Sequence, residues 1–255
     1  MSPSSAGPTL RASFRQWWNG SVSRHGVVST LRRLLVEIRD FLLESTPERR
    51  RRRYGDVEYD WNFPVDTTSG TVSFRNRLLG MFHSAYQPTE PALFDEMMAA
   101  IPIDDPSTFL FLDLGSGKGR TLLMASEYPF HRILGVELLP DLNQIAQENI
   151  RKFKSNNQHC FNIESICLDA QEFVFPNEPT VLYLFHPFPE SVLEKVSDNL
   201  NRSLVASPRE TFVVYVNPLL EPLLGKNKAL KKIAGTHQYV IYEHQGADLR
   251  TTSSK

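Results

Sequence analysis

The stretch from Phe109 to Leu138 constrains the fold of this 255-residue chain more than any other. It begins with four apolar residues, which is typical of a parallel strand buried on both faces. The sequence DLGSGKGR follows directly, and its three glycines at alternate positions let the backbone bend sharply and lie bare against a ligand. A helix that starts after such a turn presents free N–H groups. The stretch therefore predicts a strand, a ligand-binding turn and a helix.

A second strand, Ile133 to Val136, leads to Glu137, which lies 22 residues after Gly115. A carboxylate at that place can accept hydrogen bonds from ribose hydroxyls, as an acidic residue does about 20 residues after the turn in dinucleotide-binding folds. The spacing fits an adenosine-containing ligand. A dinucleotide site requires G-x-G-x-x-G, and Arg120 occupies the position of the last glycine. A nicotinamide dehydrogenase therefore remains only as an alternative.

The pattern Asp-x-Gly-x-Gly-x-Gly with a distal Glu resembles the first two motifs of the class I S-adenosylmethionine (SAM)-dependent methyltransferases. The resemblance implies an α/β fold: a three-layer, Rossmann-like sheet with strand order 3-2-1-4-5-7-6, an N-terminal helical extension, and SAM as the cofactor. The cofactor-binding residues that it implies are Thr89, Asp113, Gly115, Ser116, Gly117, Gly119, Glu137, Leu138, Asp169 and Ala170.

In that family, an acidic residue after the third strand receives the adenine amino group, and the next backbone N–H faces a ring nitrogen. Asp169 and Ala170 occupy these positions. The alternative is that Asp169 caps the next short helix.

Later apolar segments supply the other strands of the expected sheet. Ile163 to Leu168, Thr180 to Phe185 and Thr211 to Val216 are typical of buried strands. Residues 231–234 and 239–242 flank a Gly-Thr turn and predict a closing antiparallel hairpin. No internal repeat is evident.

The acceptor end departs from the family pattern. After the fourth strand, members that methylate amines carry Asn or Asp, then Pro-Pro and Tyr or Phe, whereas this chain has HPFP at 186–189. We expect His186 to act as a base or hydrogen-bond acceptor, with a structural histidine as the alternative. Phe188 and Tyr86 would line the acceptor channel as the other candidate catalytic residues. The sequence Y-x-P-T at 86–89 also resembles lysine methyltransferases of the ATP synthase c-subunit type.

These observations predict a SAM-dependent methyltransferase that methylates a nitrogen of a protein side chain, with lysine favoured. A small-molecule acceptor is one alternative. A SAM-binding module without activity, acting through a basic N-terminal helix, is another. Methyl transfer needs no metal, and Cys160 and Cys167 lack the spacing of a zinc site.

Charge is distributed unevenly along the chain. Residues 1–55 contain 11 arginines, no lysine and four acidic residues, a net charge of +7, so the other 200 residues carry −8. We predict three parts: a basic extension over 1–55, a linker or lid over 56–90, and a methyltransferase domain over 91–255. Within the extension, residues 1–25 predict no regular structure. Val27 to Leu43 has apolar residues at helical spacing and predicts an amphipathic helix.

The amphipathic helix has several possible partners. It can pack on the catalytic domain or on a second copy, or residues 17–53 can contact an anionic membrane surface through arginines and two tryptophans. Nucleic acid is not expected as a partner, because the arginine run at 49–53 is not part of a recognisable reading module.

Two cysteines without a disulfide framework fit a reducing compartment, and no apolar run reaches the ~20 residues that cross a bilayer. We therefore expect a cytoplasmic location, with membrane association as an open possibility. A mitochondrial location is the alternative, because the first 35 residues contain Ser and Arg but no acid.

Overall fold

The structure is a computed structural model that describes residues 9–44, 57–68, 87–185 and 188–245. The helices are α1 (Leu10–Glu44), α2 (Val57–Asn62), α3 (Pro91–Ala99), α4 (Arg120–Ala125), α5 (Pro140–Lys152), α6 (Glu190–Ala206) and α7 (Glu221–Leu224). The strands are β1 (Leu110–Leu114), β2 (Arg132–Glu137), β3 (Ile163–Cys167), β4 (Thr180–Phe185), β5 (Glu210–Val216), β6 (Lys231–Gly235) and β7 (Tyr239–Gln245).

The seven strands form one sheet in the order β3-β2-β1-β4-β5-β7-β6. The strands from β3 to β5 are parallel, and β7 lies antiparallel between β5 and β6. The predicted α/β fold and strand order 3-2-1-4-5-7-6 are therefore confirmed. From β1 the chain adds β2 and β3 on one side and then crosses over to add β4 and β5 on the other side. In open α/β sheets, ligands bind at the carboxyl ends of the strands at such a switch point.

Both faces of β1 are buried, as its apolar sequence predicts. Leu110, Leu112 and Leu114 belong to the core cluster that includes α6. Phe111 points to the opposite face and packs edge-on against Phe94 of α3. Because alternate residues of a strand point to opposite faces, one short segment joins the two helical layers of a three-layer molecule.

Gly135 lets the turn after β1 pack closely on β2. A Cβ at this position would lie 2.6 Å from Leu122 Cδ1 and 2.9 Å from Ser116 Cβ. A larger residue would therefore push α4 or the turn away from the sheet.

Helix α1 corrects one expectation for the N-terminal extension. Residues 10–25, for which the sequence predicts no regular structure, are helical, and Gly26 (φ 77°, ψ 168°) breaks α1 into two halves. Arg24 forms ion pairs with Glu190 at 3.6 Å and Glu194 at 2.8 Å, both on α6. The prediction for residues 10–25 was wrong because this half of α1 makes contacts with the distant helix α6, which a local sequence pattern does not indicate.

The second half of α1 is the predicted amphipathic helix. Several of its apolar side chains are exposed, including Val28 (82%) and Leu35 (68%), so these side chains do not pack on the domain. Contact with a second copy or with a membrane surface stays a prediction. Within the described ranges, no helix has the length and apolar character needed to span a membrane. The division into three parts at residues 55 and 90 also stays a prediction.

Candidate cofactor-binding site

Three glycines shape the turn between β1 and α4. Gly115 (φ 92°), Gly117 (φ 55°) and Gly119 (φ 83°) all have a left-handed backbone, which residues with a Cβ rarely adopt. The N–H groups of Gly115 and Ser116 donate to the carbonyl of Val136, at 2.8 and 3.1 Å. The turn is therefore tied to the end of β2.

Glu137 lies beside this turn, as its spacing in the sequence predicts. It is the last residue of β2 and only 7% exposed. Its Oε2 accepts a hydrogen bond from the Gly117 N–H at 2.8 Å, and its Oε1 accepts one from the Leu139 N–H at 2.8 Å. Burial raises the pKa of Glu137, and these backbone N–H groups oppose that rise. The carboxylate is thus fixed in place by the backbone.

Asp113 is a second buried carboxyl group at the end of β1. It accepts a hydrogen bond from the Thr121 hydroxyl of α4, which joins the strand to the helix that follows the turn. Burial raises the pKa of Asp113 to about 7, although the bond from Thr121 opposes this effect and the charge of Glu137 adds to it. Asp113 therefore titrates close to neutral pH.

The two predicted hydroxyl ligands differ in their surroundings. Ser116 is buried, and its Oγ has no hydrogen-bond partner among the described residues. Thr89 is also buried, but its Oγ1 is 2.7 Å from the hydroxyl of Tyr183 on β4. The Ser116 hydroxyl is enclosed next to Gly135 of β2, whereas the Thr89 hydroxyl has a partner in Tyr183.

Asp169 caps a short helix, as the alternative interpretation of the sequence proposed. Its Oδ1 accepts a hydrogen bond from the Gln171 N–H at 2.9 Å, at the start of the 3₁₀ turn Ala170–Glu172. Ala170 is buried, and Leu138 is half-buried between Glu137 and α5. The adenine-binding roles of Asp169, Ala170 and Leu138 stay predictions.

The acceptor end is described only in part. His186 and Tyr86 lie outside the described residues, so their predicted roles are not tested. Phe188 is half-buried and packs against the core cluster that contains β1 and α6. Its predicted place in an acceptor channel stays a prediction.

Sequence reasoning missed the contacts on the other side of the turn. Residues 57–68, which we name the clasp, run from α2 to Thr68 and bond to the side chains of Lys118 and Arg120. Lys118 is completely buried, and Arg120 is 2% exposed. The sequence did contain one signal, the two basic residues Lys118 and Arg120 between elements that are predicted to be buried. Because buried cations require partners, this pair predicts acidic or carbonyl groups from elsewhere in the chain.

The turn and Glu137 fit an adenosyl ligand. The turn presents a bare backbone at its three left-handed glycines. Glu137 accepts bonds from the N–H groups of Gly117 and Leu139, with Leu138 as a further backbone donor, and a carboxylate has about four acceptor sites, which leaves capacity for a ribose hydroxyl. Together with the strand order, these features resemble those of the class I SAM-dependent methyltransferases, and the site fits SAM as a cofactor.

A family model agrees with this class. The model described as "Histone methylation protein DOT1" matches residues 81–182, which are 102 of the 255 residues. The match runs from the segment before α3 into β4 and includes the turn and Glu137. No curated protein sequence matches the chain.

Solved methyltransferase structures are similar to the described fold. A predicted N6-adenine-specific DNA methylase from Listeria monocytogenes has a TM-score of 0.47 at 16% identity over 63% of this chain and 52% of that chain. An RNA methyltransferase from Salinibacter ruber, in complex with S-adenosyl-L-homocysteine, has a TM-score of 0.40 at 19% identity over 63% and 94%. A precorrin-6y C5,15-methyltransferase from Geobacter metallireducens has a TM-score of 0.44 at 16% identity over 62% and 90%. The match thus spans about half of the first protein and most of the other two.

We expect Glu137→Ala to weaken SAM binding by at least about tenfold, because each hydrogen bond to a charged group contributes ~1.5–3 kcal/mol. Isothermal calorimetry with SAM measures the change. The control is Glu164→Ala, which removes an exposed carboxylate from the neighbouring strand β3 and should leave the affinity unchanged. Equal affinities for wild type and Glu137→Ala would remove Glu137 from the cofactor site.

We expect Asp113→Asn to change how stability depends on pH. The pKa of Asp113 is raised to about 7 in the folded protein, whereas an unfolded chain has a value near 3.9. Between about pH 4 and pH 7, the folded protein therefore keeps a proton on Asp113 that the unfolded chain has lost. The stabilisation that this proton provides is fully present below about pH 4 and is lost as pH rises to about 7. Asparagine cannot titrate but can still accept the bond from Thr121.

Urea unfolding at pH 5 and pH 8, without ligand, tests this dependence. The wild type should lose roughly 2–3 kcal/mol of unfolding free energy relative to Asp113→Asn over that range. Glu137 is present in both proteins, so the comparison removes its titration apart from its interaction with Asp113. A stability difference that does not vary with pH would show that Asp113 does not titrate there.

Proposed function

We propose that the protein transfers the methyl group of SAM to a nitrogen atom of a protein side chain, with lysine as the favoured acceptor. The main support is the match to the DOT1 model, whose description concerns histone methylation and whose span includes the cofactor turn. The resemblance of residues 86–89 to lysine methyltransferases of the c-subunit type supports the same acceptor. The alternatives are a small-molecule acceptor and a SAM-binding module without activity.

Strand β1, which leads into the glycine turn, pairs with β4, which leads to the HPFP sequence. Asp113 of β1 is opposite Tyr183 of β4, so the carboxyl ends of β1 and β4 are neighbours. Bound SAM supplies an electrophilic methyl group, and alignment of a nucleophile with such a group can contribute ~7–11 kcal/mol towards the barrier. On this proposal, the protein's task is to hold the acceptor nitrogen in line and to exclude water.

An acceptor lysine must lose a proton before it can attack. The ordinary pKa of a lysine side chain is about 10.4, so the neutral amine is scarce at pH 7 unless burial or a base removes the proton. In the sequence, His186 directly follows Phe185, the last residue of β4. We propose that the His186 imidazole accepts this proton or a hydrogen bond from the amine, since an ordinary histidine titrates near neutral pH.

We expect His186→Ala to lower kcat by roughly 100-fold or more, because general-base catalysis contributes on that scale. SAM affinity should stay within about twofold of wild type, since the proposed role concerns the acceptor. Steady-state kinetics and calorimetry measure the two quantities. His159→Ala, at an exposed position, is the control. Parallel losses of kcat and SAM affinity would instead indicate a structural histidine.

Methyl transfer itself is tested with the full-length protein, radiolabelled SAM and a cell lysate. We expect label in the protein fraction and methyl-lysine in its hydrolysate by mass spectrometry. One matched lysate has its lysines chemically blocked beforehand, and a second is treated with nucleases. Labelling should disappear in the first and persist in the second, and Glu137→Ala should lower it in the untreated and the nuclease-treated lysates.

The other outcomes separate the alternatives. Label that disappears after nuclease treatment would indicate a nucleic-acid acceptor, and label only in the small-molecule fraction would indicate a metabolite acceptor. SAM binding by calorimetry without any transfer would favour the binding module. Each of these results contradicts the proposal of lysine methylation.

A further inference from the structure

Lys118 is a fully buried cation inside the cofactor turn. Its Nζ donates hydrogen bonds to Asp66 Oδ1 and to the Thr68 carbonyl, both at 2.8 Å. Burial lowers the pKa of Lys118, and the bond and charge of Asp66 oppose that effect. Burying an ammonium group is unfavourable unless partners compensate for lost water. Both of these partners belong to the clasp, so the turn and the clasp depend on each other.

A second set of bonds holds the same two segments together. Arg120 Nε donates to Thr67 Oγ1 at 2.7 Å, and the guanidinium lies 3.3 Å from Asp60 Oδ1. Asp60 also accepts the N–H groups of Thr67 and Thr68, at 2.7 and 3.0 Å. The carboxylate of Asp60 thus fixes both the bend of the clasp and the Arg120 side chain at the start of α4.

Asn149 of α5 completes the junction. Its Nδ2 donates to the carbonyls of Asp66 and Lys118, at 2.8 and 2.9 Å, and its Oδ1 accepts the Asp66 N–H at 2.8 Å. Asn149 is almost completely buried. Because it contacts the backbone of both segments, movement of the clasp would leave buried polar groups of the turn without their partners.

The position of Lys118 connects this junction to the cofactor side of the turn. Lys118 lies between Gly117, whose N–H donates to Glu137, and Gly119, which has a left-handed backbone. Its side chain is held by the clasp while its backbone continues the turn. A change in the clasp therefore reaches the hydrogen bond between Gly117 and Glu137 through the Lys118 side chain and the peptide bond that joins Lys118 to Gly117.

We propose that Lys118 is a positioning residue for SAM binding, which acts through Asp66 and Thr68 by holding the clasp against the turn and thereby fixing the Gly117 N–H on Glu137. The proposal rests on SAM as the cofactor and does not depend on which acceptor is methylated. A merely structural role would lower the stability of the whole domain without a specific loss of SAM affinity.

The test compares wild type, Lys118→Met, Asp66→Asn and the double variant. We expect Lys118→Met to raise the Kd for SAM about tenfold or more, since it removes the charged hydrogen bonds to Asp66 and Thr68. The kcat at saturating SAM should stay within about twofold, because the acceptor side is unchanged. Asp66→Asn, whose parent carboxylate is 45% exposed, should give a smaller increase in Kd. The double variant should be no weaker than Lys118→Met, since the two changes remove a shared contact.

Two further variants sharpen the comparison. Lys118→Arg keeps the charge and should bind SAM more tightly than Lys118→Met. Lys152→Met removes a lysine whose side chain is 61% exposed on α5 and should leave the Kd unchanged. Urea unfolding without SAM establishes that each variant is folded before its affinity is measured.

Several results would overturn the proposal. A folded Lys118→Met variant that binds SAM within twofold of wild type shows that Lys118 does not position the turn. A lower kcat with unchanged Kd, or additive effects of the two substitutions on Kd, also contradicts this role. If Lys118→Met does not fold, Asp66→Asn decides, and an unchanged Kd overturns the proposal. Absence of SAM binding by wild type would refute the cofactor assignment itself, whereas normal binding without methyl transfer would leave this proposal standing.

Discussion

The hydrogen bond from the Gly117 N–H to Glu137 is the contact on which the candidate cofactor site depends. It exists because Gly117 has a left-handed backbone and because β2 ends at Glu137, so both groups meet at the carboxyl edge of the sheet. Burying a carboxylate is unfavourable without hydrogen-bond donors, and the backbone provides them. The acidic group is therefore oriented by the fold before a ligand arrives, which lowers the ordering needed on binding.

The turn is supported on its other side by groups that a ligand need not touch. Lys118 and Arg120 extend to the clasp, and Asn149 bonds to the backbone of both segments. A bare turn of glycines gains little rigidity from its own side chains, because glycine has the largest backbone freedom. The buried polar network gives this turn a single arrangement, and its bonds come from a segment far away in the sequence.

The sequence predicts what depends on local pattern. Apolar runs indicate the strands and the glycine spacing indicates the place of Glu137, because a strand buried on both faces has a nearly continuous apolar sequence. The order of the strands came from the resemblance to the methyltransferase family. The clasp could not be predicted in this way, because Lys118 and Asp66 are 52 residues apart and neither has a local pattern that identifies its partner. The first half of α1 was missed for a similar reason, since its contacts are with α6. The sequence allowed two roles for Asp169, binding adenine or capping the next short helix. The bond from the Gln171 N–H is the capping contact, which depends only on residues next to Asp169 in the sequence.

The predicted acceptor end of the chain departs from the family pattern, whereas the candidate cofactor site follows that pattern closely. The central claim therefore concerns the cofactor, and a crystal structure with S-adenosylhomocysteine tests it most directly. The account predicts that the ribose hydroxyls lie within hydrogen-bond distance of Glu137 and that the turn from Gly115 to Gly119 contacts the ligand through its backbone. A ligand bound elsewhere, or Glu137 directed away from the sugar, would contradict it.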